Sequence, residues 1–600
     1  MASTDKSLRI AALVKQVPWT EELRLGADGR LVRDGTILEL SAYCRRAVSQ
    51  AVALAAAAPG SSVTVLTLGP PSAEAVLREA LAWGLDRGVA VRGVLLTDPA
   101  FAGSDTIATA RALAAALELE GPFDLILTGR NSLDADTGQV PPQLAELLGL
   151  PFASGVRQLE VAGDVLLLGC EHDDSWVDLE VGLPAVLSCA ERLCAPAKVP
   201  PPGRAKVPAL LLRTLRAVDV GPGPWGAAGS LTTVGTCREV AVDRLRQVTV
   251  DASVTVQVKE AVRVLVERGA LTSGGSRPAP PLAATGGPGG VVAVIADPDH
   301  DLLTRELCGL AARLAGEIGG STVLLAPPGL TATKAGSWGA DRLVRLTGTQ
   351  AEEDVAGAVA SWAAAAPPWA VLAGSTTFGR EVAARVAARL GAGLTGDATE
   401  VEVTDGRLVA WKPAFGGQLV AAVTATSPVQ MVTVRAGVLP RPAVREHVAE
   451  LSTLPVEPAG RVRAHTRRRE GSLESLAEAD VVIGVGNGVE PDELGHFDEL
   501  QRLLGAEVAC TRKLTDAGWM PHARQIGITG RSISPRLYLA VGTSGGFNHM
   551  AGVLGARTVL AINPDPEAMV WQHADVGVVA SFQECVPLLV AEVRQALRAL

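Results

Sequence analysis

The sequence predicts an α/β fold: tandem doubly wound parallel-sheet (Rossmann-like) domains followed by a further C-terminal α/β domain. Three observations predict it. Apolar runs rich in Val, Leu and Ile alternate with Ala- and Leu-rich stretches, the pattern of buried parallel strands joined by crossover helices. That alternation fades after Gly203 and starts afresh at Val291, beyond a stretch rich in Gly, Pro, Ala and Ser. The chain of 600 residues is also too long for one hydrophobic core, which sets the expectation at roughly three or four domains.

In chain order, the apolar run at 10–14 is a strand, followed by Lys15-Gln16-Val17-Pro18. Strands at 62–68 and 124–128 alternate with helices at 45–58, 72–83 and 107–119, so a parallel sheet is expected. After Gly203 the chain becomes an arm, marked by Gly221-Pro222-Gly223-Pro224 and Gly229-Ser230-Leu231-Thr232 and ending in a helix at 254–268. Residues 272–290 hold almost no large apolar side chain and form the strongest linker signal. The grammar then restarts: strand 291–296, helix 302–318, strand 322–326, helix 352–366, strand 370–373, helix 380–390. A Pro- and Arg-rich stretch at 439–471 reads as a second linker, and strand 480–485 opens the last domain. The expected units are therefore 1–270 with its arm, a linker 271–290, a domain 291–440, a linker 441–471, and a domain 472–600, as in a fusion of two ancestral chains.

Net charge of −10 spread over this length argues against nucleic acid or an anionic membrane surface as the main partner. The cluster Arg467-Arg468-Arg469 is short, is followed by Glu470, and reads as solvated linker. No apolar run reaches the ~18–20 residues of a membrane span, and Met1-Ala2-Ser3-Thr4-Asp5-Lys6 lacks a signal-peptide core, so a soluble, cytoplasmic protein without membrane insertion is expected. Eight scattered cysteines, with only Cys189 and Cys194 close together, show no metal-ligand spacing and read as reduced core thiols.

The densest signal lies between Thr511 and His549: Thr511-Arg512-Lys513-Leu514-Thr515-Asp516-Ala517-Gly518-Trp519, then Gln525-Ile526-Gly527-Ile528-Thr529-Gly530, then Gly542-Thr543-Ser544-Gly545-Gly546-Phe547-Asn548-His549. It combines small-residue turns, hydroxyls, one Arg and one His, with no carboxylate pair and no nucleophile beside a base. Such residues bind rather than break bonds: glycine amides with Thr529, Ser532 and Ser544 can donate to a pyrophosphate or to ring carbonyls. No catalytic and no metal-ligating residue is expected.

This order resembles the FAD-binding domain of the electron-transfer flavoprotein alpha subunit, and Pro535-Arg536-Leu537-Tyr538 and Asn563-Pro564-Asp565 continue it. Upstream, Val294-Ile295-Ala296-Asp297, Gly339-Ala340-Asp341-Arg342, Gly379-Arg380, Leu390-Gly391-Ala392-Gly393-Leu394-Thr395-Gly396-Asp397 and Gln430-Met431-Val432-Thr433-Val434-Arg435 resemble the same subunit. The first half resembles the beta subunit through Val14-Lys15-Gln16-Val17-Pro18, Ala82-Trp83-Gly84-Leu85-Asp86-Arg87, and Asp134-Ala135-Asp136-Thr137-Gly138-Gln139-Val140. The resemblance covers almost the whole chain and implies an electron carrier with both subunits fused, beta-like half first.

It further implies that the last domain holds FAD through Asn487, Thr511, Arg512, Gln525, Ile526, Gly527, Thr529, Gly530, Ser532, Ser544, Gly545, Asn548, His549, Asn563, Asp565, Ser581 and Phe582. His549 would donate to the flavin C2 carbonyl, and Arg512 would lie over the other edge of the ring, favouring its reduced anionic forms. From the residues alone, Arg512 has a second reading as a surface ion pair with Asp516, and Asn563-Pro564-Asp565 as an ordinary turn. Asn487 stands where the family has an arginine, and Ser581 where it often has an aspartate.

In the first half the family uses the corresponding loop to hold AMP, or a second FAD in electron-bifurcating members. The residues implied are Val14, Ser41, Cys44, Gly129, Asn131, Asp134, Asp136, Thr137, Gly138, Gln139 and Val140. Gly138 and Pro141 depart from the bifurcating pattern, so AMP is the expectation and a second FAD stays open. Residues 191–206 match the family's partner-docking loop, which inserts an apolar anchor into an acyl-CoA-dehydrogenase-like flavin dehydrogenase, with Val199 the nearest candidate. A downstream electron acceptor is also implied, and a homodimer stays open. The alternatives are an NAD-linked flavin-dependent oxidoreductase or electron-bifurcating flavoprotein, and a redox-silent nucleotide-binding regulatory protein; Gly484-Val485-Gly486-Asn487-Gly488 alone is too weak a glycine loop to support the NAD reading.

Overall fold

Val- and Leu-rich runs become parallel strands here because crossover helices cover both faces of each sheet, so nearly every strand position is buried. The computed structural model describes residues 6–18, 38–132, 134–239, 244–250, 252–272, 282, 285–414, 419–440, 442–469, 476, 479–527 and 530–599, and most of the expected linker 271–290 lies outside them. Two compact units emerge, the first comprising Met1–Arg238, Pro281–Phe415 and Leu419–Arg468, the second Glu239–Pro280 and Arg469–Leu600.

Within the first unit, Arg9–Leu13 lies between Ser62–Leu68 and Leu125–Gly129, all parallel. Among the described residues this sheet has ten strands, running Leu212–Leu215, Ala90–Leu96, Ser62–Leu68, Arg9–Leu13, Leu125–Gly129, Ala185–Cys189, then the antiparallel meander Phe152–Ala162, Val165–Glu171, Ser175–Gly182, and finally Val462–Arg469. Strand order reverses on the two sides of Arg9–Leu13, which opens a crevice at the carboxyl ends of Arg9–Leu13 and Leu125–Gly129. The second sheet has seven parallel strands among the described residues, with Val291–Ile295 between Ala370–Gly374 and Ser321–Ala326. An antiparallel sheet of Glu400–Thr404, Arg407–Ala414 and Leu419–Ala425 is joined by Thr232–Glu239 from the arm.

Two expected boundaries differ from what forms. Residues 441–471, read as a linker, contain the strands Glu450–Pro455 and Val462–Arg469, each added to one sheet of the first unit. Arg467 and Arg468 are thus strand residues, and Arg467 pairs with Asp299. The arm, assigned to a domain 1–270, splits instead, with Glu239–Pro280 belonging to the second unit. The physical reason is a buried clamp. Asp575, fully buried, accepts from Arg244 Nη1 at 2.9 Å and from the Val559 amide at 2.8 Å, while Gln247–Val248 pairs with Val576–Val579 as an edge strand. The amphipathic helix Val254–Glu267 then buries Val258, Ala261, Val262 and Leu265 in the same core as the C-terminal helix Phe582–Ala599.

The second unit's sheet is parallel, in the order Gln247–Val248, Val576–Val579, Thr558–Asn563, Leu537–Val541, Val481–Val485, Glu507–Cys510. Its first long strand in sequence, Val481–Val485, has Glu507–Cys510 on one side and Leu537–Val541 on the other. That is again a switch point.

Candidate functional site

Loops leaving the carboxyl ends of a doubly wound sheet meet at the switch point, and the second unit follows that rule. Gly486, Asn487 and Gly488 leave Val481–Val485, Thr511 and Arg512 leave Glu507–Cys510, and Gly542 to Gly545 leave Leu537–Val541. The loops touch: the Gly486 amide donates to the Val541 carbonyl at 2.8 Å and the Gly488 amide to the Gly542 carbonyl at 3.1 Å. A Cβ at Gly486 would stand 2.3 Å from the Gly542 oxygen, so only glycine permits this approach. The segment carrying Gln525, Ile526 and Gly527 closes the crevice, with the Ile526 amide on the Cys510 carbonyl at 2.9 Å.

At this rim two hydroxyls, Thr511 Oγ1 and Thr543 Oγ1, are buried with no hydrogen-bond partner among the described residues. An unsatisfied buried hydroxyl costs about 1–3 kcal/mol, and a bound polar ligand removes that cost. The donor set suits a dinucleotide: hydroxyls, loop amides and small residues, with no carboxylate pair.

His549 is buried, and both ring nitrogens are occupied. A carbonyl can only accept, so Nδ1–H donates to Ile526 O at 3.2 Å, which leaves Nε2 to accept from the Tyr538 hydroxyl at 2.7 Å. Burial, only partly opposed by that carbonyl, pushes the imidazole down to about 4 and pushes the Tyr538 phenol well up, so both are neutral near pH 7. The donation to a flavin carbonyl expected of His549 therefore has no N–H available in this arrangement. Tyr538, which places the ring, carries no polar pattern in the sequence beyond its position in Pro535-Arg536-Leu537-Tyr538.

Several other expected positions are engaged within the fold. Arg512 begins the short helix Arg512–Asp516, and its Nε lies 3.1 Å from Asp516, both half-exposed. Gln525 accepts from Thr515 Oγ1 at 2.6 Å. Asn563 donates to the Thr543 carbonyl at 2.8 Å and accepts from the Asp565 amide at 2.9 Å, so Asn563 and Asp565 make a turn that fixes the Thr543 loop. Ser581 precedes the helix Phe582–Ala599 and accepts from the Glu584 amide at 3.3 Å. Phe582 is a core residue, its ring 5.6 Å from that of Phe497 and buried, because the first turn of that helix points its apolar face inward. Asn487, Ser544 and Asn548 are exposed, Gly530 and Ser532 are half-buried, Gly545 is buried, and Thr529 lies outside the described residues.

In the first unit, Val14, Ser41, Cys44 and Gly129 gather at the other switch point. Ser41 Oγ is buried beside the Cys44 thiol, and burial pushes that thiol up. The loop beyond Gly129 is less free than its polar sequence implies. Asp134 pairs with Lys15 at 2.7 Å, and Asn131 donates to Asp136 at 2.7 Å. Gln139 donates to the Leu394 carbonyl at 3.3 Å and Lys412 to the Ala135 carbonyl, while Thr137 packs against Gly396. The two halves of the first unit thus share this loop. Gly138 takes a left-handed conformation just before Val140 opens the helix Val140–Leu147.

A second bridge joins those halves. Asp297 Oδ1 lies 2.8 Å from His300 Nδ1 and its Oδ2 accepts from Thr376 Oγ1 at 2.6 Å, while Asp174 from the first half stands 3.6 Å from His300 Nε2. Burial alone lowers such an imidazole, but Asp174 and Asp297 outweigh it and hold His300 at about 10. Val199, the expected docking anchor, is buried: its carbonyl accepts from Arg204 Nε at 2.7 Å and its amide faces Glu79 at 3.5 Å. Among the described residues no helix is long and apolar enough to cross a membrane.

Comparison with known proteins adds three findings. The electron transfer flavoprotein domain matches residues 28–212 and 293–459, more than half of the chain, and the electron transfer flavoprotein FAD-binding domain matches residues 475–554. Protein FixB of Rhizobium meliloti is 37% identical over 306 residues, covering 47% of this chain and 86% of that protein. Protein FixB of Bradyrhizobium diazoefficiens is 38% identical over 241 residues, 38% of this chain and 65% of that protein, and the electron transfer flavoprotein subunit alpha of Thermoanaerobacterium thermosaccharolyticum is 34% identical over 252 residues, 40% and 76%.

Proposed function

The chain belongs to the electron transfer flavoprotein family, and from that premise we propose that it carries a beta-like and an alpha-like half of such a flavoprotein in one polypeptide, beta-like half first. Supporting this, the family domain matches two separate stretches, and each stretch contributes its own large sheet, built on a parallel core, to the first unit. FAD is the cofactor, through the match to the FAD-binding domain. When bound it supplies the centre that accepts and releases electrons.

The chain's own residues hold and shield it. Thr511 and Thr543 donate from either side of the strand Val481–Val485, the Gly486–Gly542 contact brings backbone amides close, and the neutral Tyr538–His549 pair keeps the crevice floor uncharged. The observation that carries the reading is that pair of orphaned hydroxyls at the switch point. AMP occupies the beta-like half at the loop from Gly129 to Val140. Electrons arrive from a flavin dehydrogenase of the acyl-CoA-dehydrogenase-like class and leave to a downstream acceptor, in the cytoplasm. With Val199 buried, the dehydrogenase is engaged without that anchor.

Nucleotide content tests this. Acid extraction and chromatography of the purified chain are expected to yield one FAD and one AMP per polypeptide. Two FAD and no AMP would overturn the assignment of the first half, and absence of FAD would overturn the whole.

A further inference from the structure

The second sheet of the first unit has a switch point of its own. Val291–Ile295 has Ser321–Ala326 on one side and Ala370–Gly374 on the other, so chain order reverses across it and the loops leaving Val291–Ile295 and Ala370–Gly374 border a crevice. Helix Thr377–Leu390 starts there. Thr376 caps it, its Oγ1 accepting from the Gly379 amide at 3.0 Å, and Asp297 from the neighbouring loop accepts from the same hydroxyl at 2.6 Å. The first amides of such a helix carry the positive end of its dipole and are the usual seat of a bound anion.

In this chain a protein carboxylate takes that seat. Residues 172–174 turn between the strands Val165–Glu171 and Ser175–Gly182 of the first sheet, closed by the His172 amide on the Ser175 carbonyl at 2.9 Å. Asp173 accepts from the Thr377 amide at 2.7 Å, and Asp174, buried, stands 3.6 Å from His300 Nε2. The surrounding charges suit carboxylates held in place. Asp174 and Asp297 keep His300 charged, Arg130 faces Asp173 together with Glu191 and Glu171, and Glu171 is itself bound by Arg192 at 2.6 Å. Two acids from one half of the unit thus fill the ligand position of the other half's sheet.

We propose that the turn 172–174 is a built-in anionic ligand: Asp173 occupies the anion seat at the N-terminus of Thr377–Leu390 and keeps this crevice closed to nucleotides and other external anions. The inference stands on this geometry and not on the nucleotide assigned to the other switch point.

Removing the carboxylate and supplying another tests it. In the full chain, Asp173→Ala is expected to lower the melting temperature of the first unit. Sodium formate, which carries the same carboxylate as the missing side chain, should restore it saturably, whereas sodium chloride at equal ionic strength should not, and formate should leave the parent unmoved. Asp173→Asn, which fills the space without the charge, is expected to be destabilised and not rescued. Thr377→Pro removes the donor amide at a helix position that accepts proline, so Asp173→Asn should cost less in that background than in the parent. That cycle also reads the contact if Asp173→Ala fails to fold. Formate acting alike on the parent, Asp173→Ala and Asp173→Asn, or strictly additive costs of Asp173→Asn and Thr377→Pro, overturns the proposal.

Discussion

The Tyr538 hydroxyl lies 2.7 Å from His549 Nε2, and the neighbouring strand makes room for it at Gly484, where a Cβ would stand 1.7 Å from the hydroxyl oxygen. A glycine in the middle of a buried strand usually weakens it. Here it admits the hydroxyl that fixes the histidine.

Gly484→Ala is therefore expected to destabilise the second unit by about 2–4 kcal/mol, the range of an overpacked core with a buried hydrogen bond broken. Calorimetric unfolding measures it. Gly484→Ala combined with Tyr538→Leu, which removes the clashing ring, should unfold closer to Tyr538→Leu alone than additivity predicts; strict additivity would show that the two side chains do not collide.

His549 predicts an acid dependence. Its folded pKa of about 4 lies below the 6.5 of an unperturbed imidazole, so the neutral ring contributes stability that is present above 6.5 and is lost as pH falls toward 4. The loss amounts to at most about 3 kcal/mol. Comparing melting temperatures of the parent and His549→Gln across that window checks it: the two curves should converge at low pH, and parallel curves would contradict the buried neutral imidazole.

His300 predicts the opposite sign. Held at about 10, it contributes stability that is full below 6.5 and is lost as pH rises through about 10. His300→Gln should therefore cost most below pH 6.5 and least at high pH, read on the unfolding of the first unit, with Asp173, Asp174 and Asp297 the carboxylates that face the ring. A cost that does not change with pH would show that the ring is uncharged between them.

How legible this chain was depends on where its side chains point. Buried parallel strands such as Leu125–Gly129 and Val291–Ile295 announce themselves as continuous apolar runs. Glu450–Pro455 and Val462–Arg469 are edge strands with almost every side chain exposed, so no apolar period marks them, and the charges that protect such edges read as linker. The antiparallel strands Arg407–Ala414 and Leu419–Ala425 alternate too weakly to stand out. The crevice of the second unit was legible from its glycines and hydroxyls. The engagement of His549 by Tyr538 and of Phe582 by Phe497 was not, because each depends on contacts set by packing, whereas the ion pair of Arg512 with Asp516 follows from their spacing of four along the chain.

Arg512 offers a prediction that separates motif from contact. If its guanidinium favours the reduced flavin, Arg512→Ala makes the flavin harder to reduce by about 1–2 kcal/mol, while Asp516→Ala, which frees the arginine from its ion pair, makes it easier. Potentiometric titration of the two variants reads the sign directly. Equal midpoints in variants that retain FAD would show that Arg512 serves only its surface ion pair.

As an electron transfer flavoprotein, this chain carries electrons on FAD. Anaerobic photoreduction of the purified protein, followed spectroscopically and then by addition of an artificial acceptor, tests it most directly. A yellow protein that bleaches on reduction and recovers its colour stoichiometrically with the acceptor, with no other substrate present, is the expected result. A colourless protein, or a yellow one that cannot be reduced, would contradict it.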